Sequence, residues 1–200
     1  MITNPVTHHR IFIAVELDAT LRQRIVDLED SIKQAGAGLR WITAQNLHFT
    51  VRFLGEITPA QLARVKLATR EVAAASRPFQ LVLHGVGAFP SLARPQVIWA
   101  GVTNGSDELA GLSAQLDAVL ARHRFPREDR PYVAHLTLTR VRDRRLWGDL
   151  VRALSGFREV AVGTQQVETL TVMESHLSPR GARYTRVEEV LLGQILKSPE

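Results

Sequence analysis

One short pattern, used twice, constrains this chain more than anything else in it. Leu47-His48-Phe49-Thr50-Val51 and Ala134-His135-Leu136-Thr137-Leu138 each alternate apolar and polar residues, and their histidines stand 87 positions apart. Such alternation marks a half-buried strand, because successive side chains point to opposite faces of a sheet. Strict alternation predicts one face with Leu47, Phe49, Val51 and Phe53 and the other with His48, Thr50 and Arg52. In the second copy, Leu136 and Leu138 oppose His135, Thr137 and Thr139. Each strand therefore commits one side to a core and presents a His-Thr pair on the other. Two matched pairs suggest an acid and a base, since histidine is the side chain that can be neutral in one copy and charged in another near neutral pH.

The pattern of the remaining chain supplies a frame for these strands. Arg10 to Glu16 is an apolar, β-prone run. Asp18 or Thr20 can cap a helix carrying Leu21, Ile25, Leu28 and Ile32 at helical spacing, with Gly36 and Gly38 to end it. Trp41 to Thr43 reads as a short extended piece, and the first His-Thr strand is expected to stop at Gly55. Thr58-Pro59-Ala60-Gln61 has a capping residue, an early proline and a glutamine three places on, which starts a helix running to about Ala75. Strands are expected over Phe79 to Val86 and Val97 to Val102, joined by a loop from Phe89 to Pro95. A third helix begins near Ser106 or Asp107 and turns Leu109, Leu112, Leu116, Val119 and Leu120 inward. An Arg-rich loop, 124–131, leads into the second His-Thr strand. An amphipathic segment over 146–154 follows, and then a closing hairpin, Val167 to His176 and Tyr184 to Leu192, turns at Ser178-Pro179-Arg180-Gly181. The two His-Thr strands fall in comparable places of two halves, which predicts two α+β lobes related by a pseudo-twofold within one domain spanning 1–200. Residues 1–9 and 194–200 are expected to be flexible tails.

Composition narrows the function classes. With 45% hydrophobic and 22% charged residues over 200 positions, the chain has the make-up of an ordinary globular protein. No apolar run approaches the ~20 residues of a membrane helix. No apolar core follows the N-terminal residues as in a signal peptide, so a cytoplasmic location is expected. The absence of cysteine removes disulfides, a thiol nucleophile and Cys-ligated zinc. The net charge of +5 comes from 22 Arg against 3 Lys. A GC-rich coding preference explains a global excess of arginine as well as function does. The local distribution says more: from Arg122 to Arg145 there are eight Arg and three acidic residues, flanking the second His-Thr strand. A basic belt there suits a polyanionic substrate, while a solvated basic loop accounts equally well for most of its members.

The residues surrounding the two motifs carry a resemblance. Asn46-Leu47-His48-Phe49-Thr50-Val51-Arg52-Phe53-Leu54-Gly55-Glu56 and His135-Leu136-Thr137-Leu138-Thr139-Arg140 resemble the two motifs of the 2H phosphoesterase superfamily. More narrowly they resemble those of the bacterial and archaeal RNA 2′,3′-cyclic phosphodiesterases, also called 2′-5′ RNA ligases. Arg10 to Ala14 is similar to the family's first strand, Arg94 to Trp99 to its central strand, and Ser175, Gly181 and Tyr184 to its closing hairpin. Ala134 departs from the proline common before the second histidine, which changes backbone restriction and removes no reactive group.

That resemblance implies an α+β bilobal fold in which two antiparallel sheets line a central cleft, with helices outside. It implies metal-independent opening of RNA 2′,3′-cyclic phosphates to 2′-phosphomonoesters, with no cofactor. His48 would be the proton donor and His135 the proton acceptor, while Thr50, Thr137 and Arg140 would bind the phosphate. The partner would be RNA or an oligonucleotide ending in a cyclic phosphate, acted on by a monomer away from membranes. By strict alternation Arg140 shares the parity of Leu136 and Leu138, so reaching the site requires the strand to end or bend after Thr139. Arg52 has the right parity, but an ordinary surface arginine is the better reading. The other five histidines, His8, His9, His84, His123 and His176, show no metal-ligand spacing. Trp41, Trp99, Tyr132 and Phe12 can stack a base, although core packing suits each better. Two alternatives remain open at this point: 2′-5′ ligation or cleavage at the same site, and a non-catalytic RNA-binding module.

Overall fold

The computed structural model describes residues 8–34, 39–179 and 181–194. Its strands form two four-stranded antiparallel sheets. The first has the order β2-β1-β7-β8, from His48–Ile57, His9–Glu16, Thr169–Ser178 and Gly181–Leu191. The second has the order β5-β4-β3-β6, from His135–Arg140, Arg94–Asn104, Phe79–Ser91 and Ala161–Val167. Both His-Thr strands are thus sheet edges, and each pairs antiparallel with the strand that precedes it by one helix. The correspondence β2 with β5, β1 with β4, β7 with β3 and β8 with β6 is the expected pseudo-twofold, written in topology.

Helices α1 (Ala19–Gln34), α2 (Pro59–Ala75), α3 (Ser106–Arg122) and α4 (Trp147–Ser155) connect these strands. Asp18 caps α1, its carboxylate accepting from the Leu21 amide at 2.6 Å. The glycines expected to end that helix lie outside the described residues. At α2 the anticipated capping box is complete, with Thr58 and Gln61 satisfying one another's amides. The apolar stripes of α1 and α3 turn inward as their spacing requires: Leu21, Ile25, Ile32, Leu109, Leu116 and Leu120 are all fully buried. Helix α2 packs on α3, α3 on β2, and α1 on β6, so each lobe is braced by helices from both halves of the sequence. One buried apolar cluster runs through both sheets.

Several expectations require correction. The first His-Thr strand does not stop at Gly55 but continues through it to Ile57; Gly55, with φ of +71°, absorbs a register shift against β1. The segment Phe89 to Pro95 is no loop: β3 and β4 form a long hairpin that turns at Leu92 and Ala93. Strand β6 was not legible, because Gly163 and three polar residues dilute its alternation. His9 belongs to β1 rather than to a tail, pairing with Ile57 and hydrogen-bonding Glu174 at 2.8 Å. The turn residue Arg180 and the ends 1–7 and 195–200 lie outside the described residues.

Candidate active site

Strict alternation fails in both motif strands, at the same relative place. In β2 the pairing runs Thr50 with Ala14 and then Arg52 with Ile13, so Val51 is an extra residue. In β5 it runs Thr137 with Trp99 and then Thr139 with Ile98, so Leu138 is extra. Each bulge lies three residues after the histidine. A bulge inserts one residue and reverses the faces beyond it. Consequently Arg52 and Thr139, expected beside their histidines, turn inward with 5% and 0% exposure. Phe53 and Arg140, expected to face away, turn into the cleft instead. The bend that Arg140 needed is therefore a bulge at Leu138, and Phe53 is its counterpart in the other lobe.

Both inward residues fasten structure around the site. Arg52 is no surface arginine: it donates to Glu128 at 2.8 Å and to the Pro126 carbonyl, and lies 3.2 Å from Asp117. It therefore ties β2 to the segment leading into β5. Thr139 donates its hydroxyl to the Arg40 carbonyl at 2.8 Å. Beside it, Trp41 bridges to Thr139 and the Ile42 amide donates to the Leu138 carbonyl. The chain from Arg40 to Asn46 is thus a strap from the bulge of one lobe to His48 of the other.

The cleft of about 240 Å³ between the lobes is lined by His48, Thr50, His135, Thr137 and Arg140, so all five predicted site residues converge. The two histidines are held alike. His48 Nδ1 donates to the Asn46 carbonyl and His135 Nδ1 to the Val133 carbonyl, each at 2.7 Å and each two residues upstream. A carbonyl only accepts, so Nδ1 carries the proton and Nε2 is left as the acceptor nitrogen of each neutral ring. His48 Nε2 lies 2.9 Å from the Thr50 hydroxyl. His135 Nε2 has no protein partner among the described residues.

Aromatic rings fix both imidazoles. Phe12 lies 4.8 Å from the His48 ring and Tyr184 meets it edge-on at 5.2 Å. Phe89 meets His135 edge-on at 5.0 Å and is backed by Trp99. Trp99 can lie there because its cross-strand partner is Gly87, where a Cβ would sit 2.3 Å from the indole. Trp99 is therefore a packing residue, whereas Phe12, packed on the His48 ring, also lines the cleft. Burial pushes the His48 imidazole below the ordinary histidine range; its bond to Asn46 and the nearby Glu16 carboxylate oppose this only partly. Tyr184 is raised by burial against the opposing pull of Arg140 and Arg10. Both cations line the cleft.

Sequence reasoning overlooked Asn46, Arg10, Phe53 and Phe89. Arg10 lies over the Phe53 ring at 4.9 Å, and no local signal announces a contact between separate strands. Asn46 also donates its side-chain amide to the Ala182 carbonyl at 2.7 Å, joining the β7–β8 hairpin to the carbonyl that orients His48.

Two sheets that bring a carbonyl-braced histidine and a threonine each to one arginine-bearing cleft define a two-histidine phosphoesterase architecture. The chain belongs to the LigT-like phosphoesterase family, which it matches over residues 15–99 and 101–184, one motif in each segment. It is 33% identical over 179 residues, 90% of this chain and 96% of the other, to the RNA 2′,3′-cyclic phosphodiesterase of Methanothermobacter thermautotrophicus. It is 34% identical over 157 residues to the protein of the same name from Aquifex aeolicus, covering 77% of this chain and 82% of that one. Among solved structures it is similar to TT0787 of Thermus thermophilus, with TM-score 0.77, 26% identity and 92% and 98% coverage. It is also similar to E. coli LigT complexed with 3′-AMP, with TM-score 0.74, 25% identity and 94% and 100% coverage. No helix among the described residues is long and apolar enough to cross a membrane.

Proposed function

We propose that the protein hydrolyses RNA 2′,3′-cyclic phosphodiester ends to 2′-phosphomonoesters, with His48 as proton donor and His135 as proton acceptor and no metal in the step. The observation that carries this reading is the convergence of two identically braced imidazoles on one cleft. His135, its Nδ1 proton held by Val133 and its Nε2 unpartnered, is suited to take a proton from water. The water oxygen forms a bond to phosphorus, the bond from phosphorus to the 3′ oxygen breaks opposite it, and that oxygen takes the proton on His48 Nε2. Thr50, Thr137 and Arg140 meet the charge that develops on the non-bridging oxygens. In the free protein burial keeps the acid form of His48 scarce, and an anionic phosphate in the cleft favours that form again. The names of the Methanothermobacter and Aquifex relatives support the substrate class.

The test is incubation of EDTA-treated protein with each nucleoside 2′,3′-cyclic phosphate, followed by locating the phosphate in the product. A 2′-phosphomonoester formed at an undiminished rate is the expected result. A 3′-phosphate would reverse the leaving group, and activity restored only by a divalent ion would overturn the metal-free step.

A further inference from the structure

The catalytic cleft does not end at the histidines. Past Ile42, Asn46, Arg140 and Tyr184 it opens into a larger groove of about 560 Å³, which these four residues also line. Trp41 and Arg142 line the groove, and among the described residues no acidic side chain lines it. The strap from Arg40 to Asn46 is thus one wall of both spaces.

Ion pairing sorts the arginines of the belt around β5. Arg122 pairs with Glu71, Arg127 with Asp117, and Arg145 with Asp143. Those three are neutralised locally. Arg124, Arg130, Arg140, Arg142 and Arg144 have no carboxylate partner among the described residues, and of these five Arg140 and Arg142 are the two that line the groove. Val141 between them is buried, and its amide donates to the Gln96 carbonyl, so the chain remains extended along β4. Two residues of extended chain place the two guanidinium stems about 6–7 Å apart on one face. This is the scale of one nucleotide step. A row of unpaired cations beside an indole face is how single-stranded nucleic acid is held.

We propose that this groove carries the RNA chain on the 5′ side of the cyclic phosphate, with Arg142 holding the phosphodiester one nucleotide upstream. The inference rests on the proposed hydrolysis and adds a preference: an oligonucleotide end is a better substrate than a mononucleotide. Arg142 is a binding residue for the chain and takes no part at the reacting phosphorus.

The experiment compares kcat/KM on a nucleoside 2′,3′-cyclic phosphate with that on a dinucleotide and a trinucleotide ending in the same group, for the wild type, Arg142→Ala and Arg142→Lys. The dinucleotide should exceed the mononucleotide by about tenfold, the worth of one hydrogen bond to a charged group in an open site. Arg142→Ala should remove that gain and leave mononucleotide turnover unchanged, with Arg142→Lys intermediate. The gain should also shrink with added salt in the wild type and not in Arg142→Ala. Equal kcat/KM on all three substrates, or a loss in Arg142→Ala that is the same on mono- and dinucleotide, would overturn the groove assignment while leaving the hydrolysis reading intact. Failure to turn over any cyclic phosphate would overturn both.

Discussion

Replacing Arg52 by methionine tests whether the bulge at Val51 matters for more than side-chain direction. Methionine keeps much of the length and apolar stem and deletes the charge. The Arg52 side chain is 5% exposed, and its partners Asp117 and Glu128 are 17% and 45% exposed. Breaking one side of a fully buried pair costs about 3–5 kcal/mol. Here Glu128 can return to water, and Asp117 keeps the Glu128 amide at 2.9 Å and Arg127 at 3.4 Å. The expected loss is therefore smaller, about 2–3 kcal/mol, plus the unanswered Pro126 carbonyl. For a chain of this size that corresponds to a fall in Tm of roughly 4–12 °C. Because Arg52 holds the segment before β5, kcat on a cyclic nucleotide should fall as well, even well below Tm. Urea denaturation and steady-state kinetics on the same preparation measure both. A destabilisation within about 0.5 kcal/mol, the range of ordinary surface changes, with unchanged kcat would refute the argument.

His48→Ala and His135→Ala should each lower kcat by about 10²–10⁴, while RNA affinity stays near wild type; near-normal turnover in either would remove that residue from the mechanism. Thr50→Val and Thr137→Val should each cost up to about 2.7–4 kcal/mol in transition-state stabilisation, with melting little changed. Thr50→Val should in addition shift the His48 imidazole resonance in an NMR titration, because its hydroxyl bonds His48 Nε2, whereas Thr137→Val should leave that curve in place. Glu29 on α1 is 4% exposed, and burial raises its pKa from 4.5 to about 7. The folded state thus holds a proton between those values that the unfolded chain has released, and the stability associated with it is lost as pH rises through 7. Glu29→Gln should raise Tm at pH 8 and give a difference that vanishes toward pH 4.5; an equal effect at both would show that Glu29 does not titrate there.

Local rules of the chain determined which residues would form strands and helices, and which polar pairs would face a common space. The capping box at Thr58, the stripes of α1 and α3, and the pairs His48-Thr50 and His135-Thr137 follow from spacing alone, because backbone hydrogen bonding and apolar burial act over a few residues. That same locality hid the rest. Whether Val51 and Leu138 are bulged depends on how β1 and β4 pair with their neighbours, and a sequence does not display its partner strand. The inserted residue at Val51 or Leu138 reversed the faces that follow it, sending Arg52 and Thr139 inward and Phe53 and Arg140 into the cleft. The carbonyls that fix both imidazoles, the indole resting on Gly87 and the groove beside Arg142 likewise exist only once distant segments have packed together. The sequence by itself determined the two His-Thr pairs and the strands that carry them; the tertiary register decided which arginine joins them in the cleft and which one ties the lobes together.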